Sequence, residues 1–272
     1  MITASIVTYK TDVPELRHVL DCLEQNGINR VYWVDNSPDD SLRVIADENR
    51  IVPVDYIHGH GNIGYGAAHN LAIRKALDQK ADYHLVLNTD TSFDKDTVPA
   101  LRLFMDGKPD AGLAMPLIRY PDGAVQYVCK LLPTPLDLIF KRFLPSSWTR
   151  RRMDRFQLKF TGYDKPMNVP FLSGCFMFFR LSAFRDVGLF DERFFMYGED
   201  IDLSRRMHEK YRTLFYPAAT VIHAHAAASK SSLRMLNIHI VNVSRYFSKW
   251  GWFFDRDRRK INKKALQELK GL

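Results

Sequence analysis

The stretch "YHLVLNTDT", Tyr83 to Thr91, is an apolar run that stops on polar residues around a lone acid, Asp90. A short apolar run bounded by polar side chains predicts a buried strand. Before it, strand and helix patterns alternate. "ASIVTY" (4–9) reads as a first strand, "RVYWVDNS" (30–37) as a second and "VPVDYI" (52–57) as a third. Between the first two lies "TDVPELRHVLDCLEQNG" (11–27), in which Asp12 is a candidate N-cap with Glu15 three residues on, Pro14 sits in the first turn and Gly27 ends the helix. Leu16, Val19, Leu20 and Leu23 form its inward stripe. A glycine-rich "HGHGNIGYG" (58–66) and a helix over about 67–79 then lead into Tyr83. Strands spaced by helices in this way predict an α/β fold with a mostly parallel, doubly wound, Rossmann-like sheet. Such sheets bind ligands at the carboxyl ends of their strands. Asp35-Asn36, the Gly61–Gly66 loop and Asp90 all fall there.

The totals fit that class. The 272 residues carry 46% hydrophobic and 26% charged side chains, the balance of a globular chain. Three scattered cysteines, Cys22, Cys129 and Cys175, suggest a reducing compartment and buried apolar roles rather than a disulfide framework or a zinc site. "MITASIVTYK" lacks the basic and long apolar regions of a signal peptide, and no run approaches the roughly 18 apolar residues of a membrane span. The formal charge of +8 is unevenly placed: Lys141–Lys159 holds seven basic residues against one Asp, and Lys249–Lys270 eight against three acids, beside Trp250, Trp252, Phe253 and Phe254. Such clusters suit an anionic membrane surface. Nucleic acid is the competing partner, which we do not expect here, and a merely solvated basic helix is the plain alternative.

The second half is less regular. "RYPDGAVQYV" (119–128) carries a turn between extended segments, and about 130–167 form a basic, Pro-punctuated insertion with apolar Leu136, Leu138, Ile139, Phe140, Phe143 and Trp148. "LSGCFMFFR" (172–180) reads as a buried strand, "FDERFFMYGEDIDLSRRMHEKY" (190–211) as a loop entering a helix near Gly198, "TLFYP" and "ATVIHAH" as two short strands, and "LRMLNIHIVNVSRYFSKW" (233–250) as a closing amphipathic helix.

Four groups could carry chemistry. Gly61, Gly64 and Gly66 ahead of a helix would let backbone N–H groups approach an anion, or simply make a tight turn. One strand-end carboxylate, Asp90, suffices for Mg²⁺ if substrate phosphate supplies further ligands; the plain reading is a cap, for which Asp94 and Asp96 also qualify. Glu199, Asp200 and Asp202 open a helix, where acids are common for dipole reasons but where one could act as a general base; Arg205 and Arg206 could pair with them or with phosphate. His223 and His225, two apart at a strand end, could touch metal or phosphate, though alone they make no zinc site.

In their order, "SIVTYK", "VDNS", "NIGYGAAHN", "LNTDT", "FLSGCFMFFR", "FDERFFMYGEDIDLSRR" and "PAATVIHAHAAAS" resemble the inverting family-two glycosyltransferases of GT-A fold, and within them the rhamnosyltransferase-like branch of bacterial surface polysaccharide synthesis, including O-antigen. The resemblance runs over roughly Thr3 to Ser229. It implies a GT-A domain over 1–229 and a basic aromatic helical extension over 230–272. It places Thr8, Asp35 and Asn36 around the nucleotide, and Asn62, Gly64, Gly66 and Asn70 around the donor. Asp90 would hold the metal, with Asn88 where the family's first Asp stands and His223 completing the site. Asp200 matches the catalytic base, leaving Glu199, Arg206 and His225 as acceptor or phosphate contacts. The implied reaction moves a sugar, rhamnose from dTDP-rhamnose foremost, from a nucleotide-diphosphate sugar to a hydroxyl of a lipid-linked glycan, with Mg²⁺ or Mn²⁺ as cofactor. The implied location is cytoplasmic, peripheral on the inner face of the cell membrane.

Two other readings compete. A nucleotidyltransferase would want a glycine-rich basic loop after the first strand, where "TYKTDVPE" has Lys10 but no glycine. A non-catalytic carbohydrate-binding or assembly module would not need Asp35, Asp90, Asp200 and His223 together.

Overall fold

A computed structural model describes residues 1–48, 50–138, 146–224 and 233–270. The first half follows the expected alternation: β1 (Ile2–Thr8), α1 (Val13–Gln25), β2 (Arg30–Asp35), a single-turn α2 (Arg43–Ala46), β3 (Val54–Ile57), α3 (Tyr65–Asp78), β4 (Tyr83–Leu87), β5 (Thr91–Phe93), α4 (Thr97–Asp106) and β6 (Ala111–Arg119). The second half adds β7 (Cys129–Lys130), α5 (Pro135–Leu138), α6 (Ser146–Phe156), β8 (Met167–Asn168), β9 (Phe171–Leu172), β10 (Phe176–Arg180), α7 (Phe184–Val187), α8 (Glu199–Lys210), β11 (Arg212–His223), α9 (Leu233–Trp250) and α10 (Arg256–Leu269).

The main sheet runs β3-β2-β1-β4-β10-β6-β11-β5, with β8 added against β11. β3, β2, β1 and β4 are mutually parallel, joined by helical crossovers. Leu16, Val19, Leu20 and Leu23 of α1 are buried, as their spacing requires. β10 then enters antiparallel between β4 and β6. Because Phe176 pairs with Leu87, the residues before β10 lie beside the residues after β4, and Asn88 N–H donates to the Cys175 carbonyl at 3.0 Å. At the far edge His223 pairs with Thr91, so the end of β11 meets the β4–β5 corner. Two strand ends far apart in sequence thus meet at Asp90.

Several local expectations are corrected. Asp12 occupies the N-cap position of α1 but its side chain makes no capping hydrogen bond, and Glu15 accepts from the Thr89 hydroxyl instead. Asp96 likewise precedes α4 without a side-chain cap. α3 starts at Tyr65, two residues early, directly after Gly64 at φ +90°. "TLFYP" and "ATVIHAH" form one strand, β11, whose register slips between Tyr216 and Thr220 around Pro217, a residue with no N–H to give the ladder.

The C-terminal helices pack on the same body. Val243, Tyr246 and Phe247 of α9 join Leu132, Phe171, Phe194 and Ile201 in a second apolar cluster. Arg205 of α8, 1% exposed, makes a two-pronged pair with Asp255 at 2.6 and 3.0 Å and lies 3.9 Å over the Trp250 ring. Lys249 bonds Asp202 at 2.6 Å and Asp191 at 2.8 Å, and Trp250 Nε1 donates to Asp202 at 2.7 Å. These tail residues, grouped by sequence with a membrane-facing cluster, are spent on α8 and the loop before it; Phe253 and Phe254 remain 65% and 90% exposed. Ile139, Phe140 and Phe143 of the insertion lie outside the described residues. Among the described residues no helix is long and apolar enough to cross a membrane. Removing one member of a buried pair strands the other charge, which costs about 3–5 kcal/mol. Asp255→Ala should therefore lower unfolding free energy by about 3 kcal/mol or more in urea titrations, and an effect near zero would show that the pair does not fasten the tail.

Candidate active site

The ends of β1 and β2 are welded together by Asp35. Its Oδ1 accepts from the Thr8 hydroxyl at 2.8 Å and from Ser37 N–H at 3.0 Å, and its Oδ2 from the Tyr56 hydroxyl at 2.5 Å. Burial, and then the Asp35 carboxylate, push the Tyr56 phenol well up, so it stays protonated as donor. Asn36 reaches the glycine-rich loop: its amide donates to the Gly64 carbonyl at 3.2 Å, and its Oδ1 faces His60 Nε2 at 3.0 Å. Asn62 shapes the same loop by accepting Gly64 N–H at 3.2 Å.

Gly64 and Gly66 are required sterically. A Cβ on Gly64 would stand 2.3 Å from the Phe195 carbonyl oxygen, at a backbone angle that favours glycine anyway. A Cβ on Gly66 would press on Phe190 and Glu199, at 3.0 and 3.3 Å. The start of α3 therefore lies flush against the start of α8. Asn70 holds this contact from one turn further on: its amide donates to the Phe190 carbonyl and Glu192 at 2.9 and 3.0 Å, and its Oδ1 accepts from Phe190 N–H at 3.0 Å. It bears on the cleft through that loop.

At the end of β4, Asp90 Oδ1 lies 3.2 Å from His223 Nε2, and the Asn88 amide 3.3 Å from the same nitrogen. Gln126 fixes the histidine from behind, donating to the His223 carbonyl at 2.6 Å and facing Nδ1 through its Oε1 at 2.9 Å. That contact puts the proton on Nδ1 and turns Nε2 toward Asp90. Burial opposes charge on His223, but the Asp90 hydrogen bond and the Cys175 thiol outweigh it and carry the ring to about 10. Burial likewise opposes the Asp90 charge, and His223 overcomes it, holding this carboxyl below its ordinary value. Among the described residues no cluster of three or more His, Cys, Asp or Glu could hold a metal ion. One carboxylate and one imidazole suit a divalent cation that takes its other ligands from a diphosphate and water, and the cation would replace the shared proton. His225 lies outside the described residues.

The three acids of α8 separate sharply. Asp202, fully buried, is consumed by Arg206, Lys249 and Trp250. Glu199 is 4% exposed with Oε2 unpartnered; burial and then the Asp200 charge raise it to about 8, so it carries its proton near neutrality and does not repel an anion. Asp200 is only partly buried, accepting from Gly174 N–H at 3.0 Å and Ile201 N–H at 2.9 Å. Burial raises its pKa, while Lys130 and backbone N–H groups restrain the rise. A partly raised carboxylate of this kind is a competent proton acceptor near neutral pH. Arg206 is not brought to the cleft. Its guanidinium is used by Asp202 at 2.8 Å and by the carbonyls of Val187, Gly188 and Leu189.

Sequence reading passed over Tyr65, Gln126, Lys130 and Gly174. The Tyr65 hydroxyl lies 3.0 Å from Asn88 Oδ1 and 2.8 Å from the Gly174 carbonyl, while Gly174 N–H holds Asp200. The Asn88 side chain also hydrogen-bonds Asp90, so Asp90, Asn88, Tyr65, Gly174 and Asp200 form one hydrogen-bonded chain, with His223 on Asp90 at its end. Tyr65 was within sight, inside the quoted "NIGYG"; Gln126 and Lys130 carry no local signal, because only strand pairing brings them in.

A family model, Glycosyl transferase family 2, matches residues 3–188. The chain belongs to glycosyl transferase family 2. It is 33% identical over 177 residues to an N-acetylglucosaminyl-diphospho-decaprenol L-rhamnosyltransferase of Mycobacterium tuberculosis, covering 60% of this chain and 56% of that protein. The chain thus spans little more than half the length of that relative. It is 27% identical over 232 residues to rhamnosyltransferase WbbL of Escherichia coli, covering 79% and 85%. The fold is that of the mannosyltransferase PcManGT of Pyrobaculum calidifontis in complex with GDP-Man and Mn²⁺, with TM-score 0.57 and 15% identity over 99% of this chain and 75% of that one.

Lys130 has one further consequence. Its ammonium lies 4.9 Å from the Phe171 ring and favours the ionised form of Asp200. If Asp200 is the general base, Lys130→Met should move the acid limb of the kcat/KM pH profile to higher pH, and an unmoved limb would show that Lys130 does not set its ionisation.

Proposed function

We propose that the protein is an inverting glycosyltransferase that moves a sugar from a nucleoside-diphosphate donor to a hydroxyl of a lipid-linked glycan, with dTDP-rhamnose the foremost donor. The observation that carries this reading is the hydrogen-bonded chain that joins Asp90, after β4, to Asp200, at the start of α8, through Asn88, Tyr65 and Gly174. The two rhamnosyltransferase relatives support the sugar, and the name of one supports a polyprenyl-diphosphate acceptor.

In this reading Thr8, Asp35, Asn36 and the loop around Asn62 and Gly64 form the nucleotide side of the cleft. Asp90 and His223 would hold Mg²⁺ or Mn²⁺, with Asn88 beside them; the bound cation supplies neutralisation of diphosphate charge. The rest belongs to the chain. Gly174 and Ile201 N–H groups aim the Asp200 carboxylate, which takes the proton of the acceptor hydroxyl as its oxygen bonds to the anomeric carbon and the bond to the nucleoside diphosphate breaks. Glu199, protonated behind Gly66, adds no second negative charge near the departing diphosphate. A single displacement of this kind inverts the anomeric centre. Residues 1–229 form the catalytic domain and 230–272 its extension, which we place, with the insertion, toward a cytoplasmic membrane face.

General-base catalysis is worth about 10²- to 10⁴-fold. Asp200→Asn should lower kcat by about that factor in a panel of nucleotide sugars scored for nucleoside-diphosphate release with the lipid-linked acceptor, while leaving donor affinity nearly intact. Wild-type turnover in that variant would remove the base assignment. Separately, Asp90→Asn and His223→Ala should each weaken Mn²⁺ affinity in the presence of nucleoside diphosphate, read by electron paramagnetic resonance of free Mn²⁺. Unchanged affinity in both would place the cation elsewhere.

A further inference from the structure

Away from the cleft, a groove of about 1100 Å³ opens between α5, α6 and α10. Its apolar lining includes Leu136, Phe160, Trp252, Phe253 and Leu266. Leu136, Phe160 and Phe253 are 46%, 53% and 65% exposed, a large apolar surface for a protein to leave in water. Six cations line the same groove, and no carboxylate does. Two of them are used internally: Arg152 by Asp137 at 2.6 Å, and Arg258 by the Pro133 carbonyl at 3.3 Å. Arg155, Arg259, Lys263 and Lys270 have no ion-pair partner among the described residues. Four unpaired cations around an apolar floor match one ligand chemistry, an anionic head on an apolar chain.

The groove is tied to the candidate base through one short segment. Lys130, at its start, bears on Asp200. Two residues on, Leu132 exchanges backbone hydrogen bonds with the side chain of Asn262 in α10, at 2.8 and 2.9 Å. Thr134 and Asn262 both line the groove. From Lys130 to Thr134 the chain covers at most about 14 Å, a span that a short saccharide diphosphate bridges.

Resting on the glycosyltransferase reading, we propose that this groove is the seat of the acceptor's lipid end. Arg155, Arg259, Lys263 and Lys270 take the diphosphate, and Leu136, Phe160, Phe253 and Leu266 the first prenyl units, while the sugar reaches Asp200. A concave groove favours one lipid-linked molecule over the flat face of a bilayer.

The test uses the full chain and farnesyl diphosphate as probe, in isothermal titration calorimetry, with inorganic diphosphate, farnesol and phosphatidylglycerol vesicles as separate arms. Farnesyl diphosphate should bind about tenfold or more tightly than either half-molecule. The double variant Arg259→Ser/Lys263→Ser should lose about tenfold or more in that affinity. Phe253→Ser should bring farnesyl diphosphate down toward inorganic diphosphate. All three positions are exposed, so both variants should keep the wild-type melting temperature, and both should keep wild-type affinity for the nucleotide donor. Equal binding of inorganic and farnesyl diphosphate, or an affinity unmoved by either variant, overturns the proposal, as does vesicle adhesion without farnesyl diphosphate binding. Failure of donor turnover in the wild-type chain would instead overturn the glycosyltransferase reading and leave the groove result standing.

Discussion

The Tyr65 hydroxyl is the constraint on which the site depends. It has one proton and two acceptors, Asn88 Oδ1 and the Gly174 carbonyl, and it stands where the ends of β4 and β10 meet. Its own backbone N–H is fixed to the Phe195 carbonyl at 2.9 Å, so the glycine-rich loop, the β4 corner and the segment before α8 share one anchor. Burial raises the Tyr65 phenol well above its ordinary value, so the proton that serves both acceptors is not given up. The positions of Asp90 and Asp200 relative to one another follow from this anchor, because each is two hydrogen bonds away from it, Asp90 through Asn88 and Asp200 through Gly174.

Around that anchor, charge is sorted by burial. The α8 acids are neighbours in sequence yet meet three fates. Asp202 becomes the hub of a structural network, Glu199 is held as the neutral acid, and Asp200 keeps two backbone donors and a nearby ammonium. The same sorting explains the tail. Lys249, Trp250 and Asp255 are drawn inward by buried partners on α8 and the loop before it, which leaves Arg259, Lys263 and Lys270 with Phe253 to define a groove of a different character.

Much of this was legible in the chain. Alternation of β-branched runs and amphipathic stripes predicts the parallel half of the sheet, and the rule that ligands gather at strand ends marks Asp35, Asn36 and Asp90. Where the reading slipped, the cause was competition. Asp12 is a good cap by type, but no N–H of α1 takes its side chain, and Glu15 answers a hydroxyl from Thr89, distant in sequence. Arg206 is an attractive phosphate ligand by position, yet three carbonyls at the end of α7 claim its donors first.

The sequence by itself determined the parallel strands β1 to β4, the helices α1, α3, α8 and α9, and the polar residue types that end those strands, because hydrophobic periodicity and strand-end chemistry are local properties. Only the tertiary structure decided which acid of α8 is open, which face of His223 is presented, and that Tyr65, Gln126 and Lys130 belong to the site. Those outcomes rest on antiparallel β10 entering beside β4 and on β11 ending at Thr91, pairings between segments 80 to 130 residues apart, roughly, that no local pattern encodes.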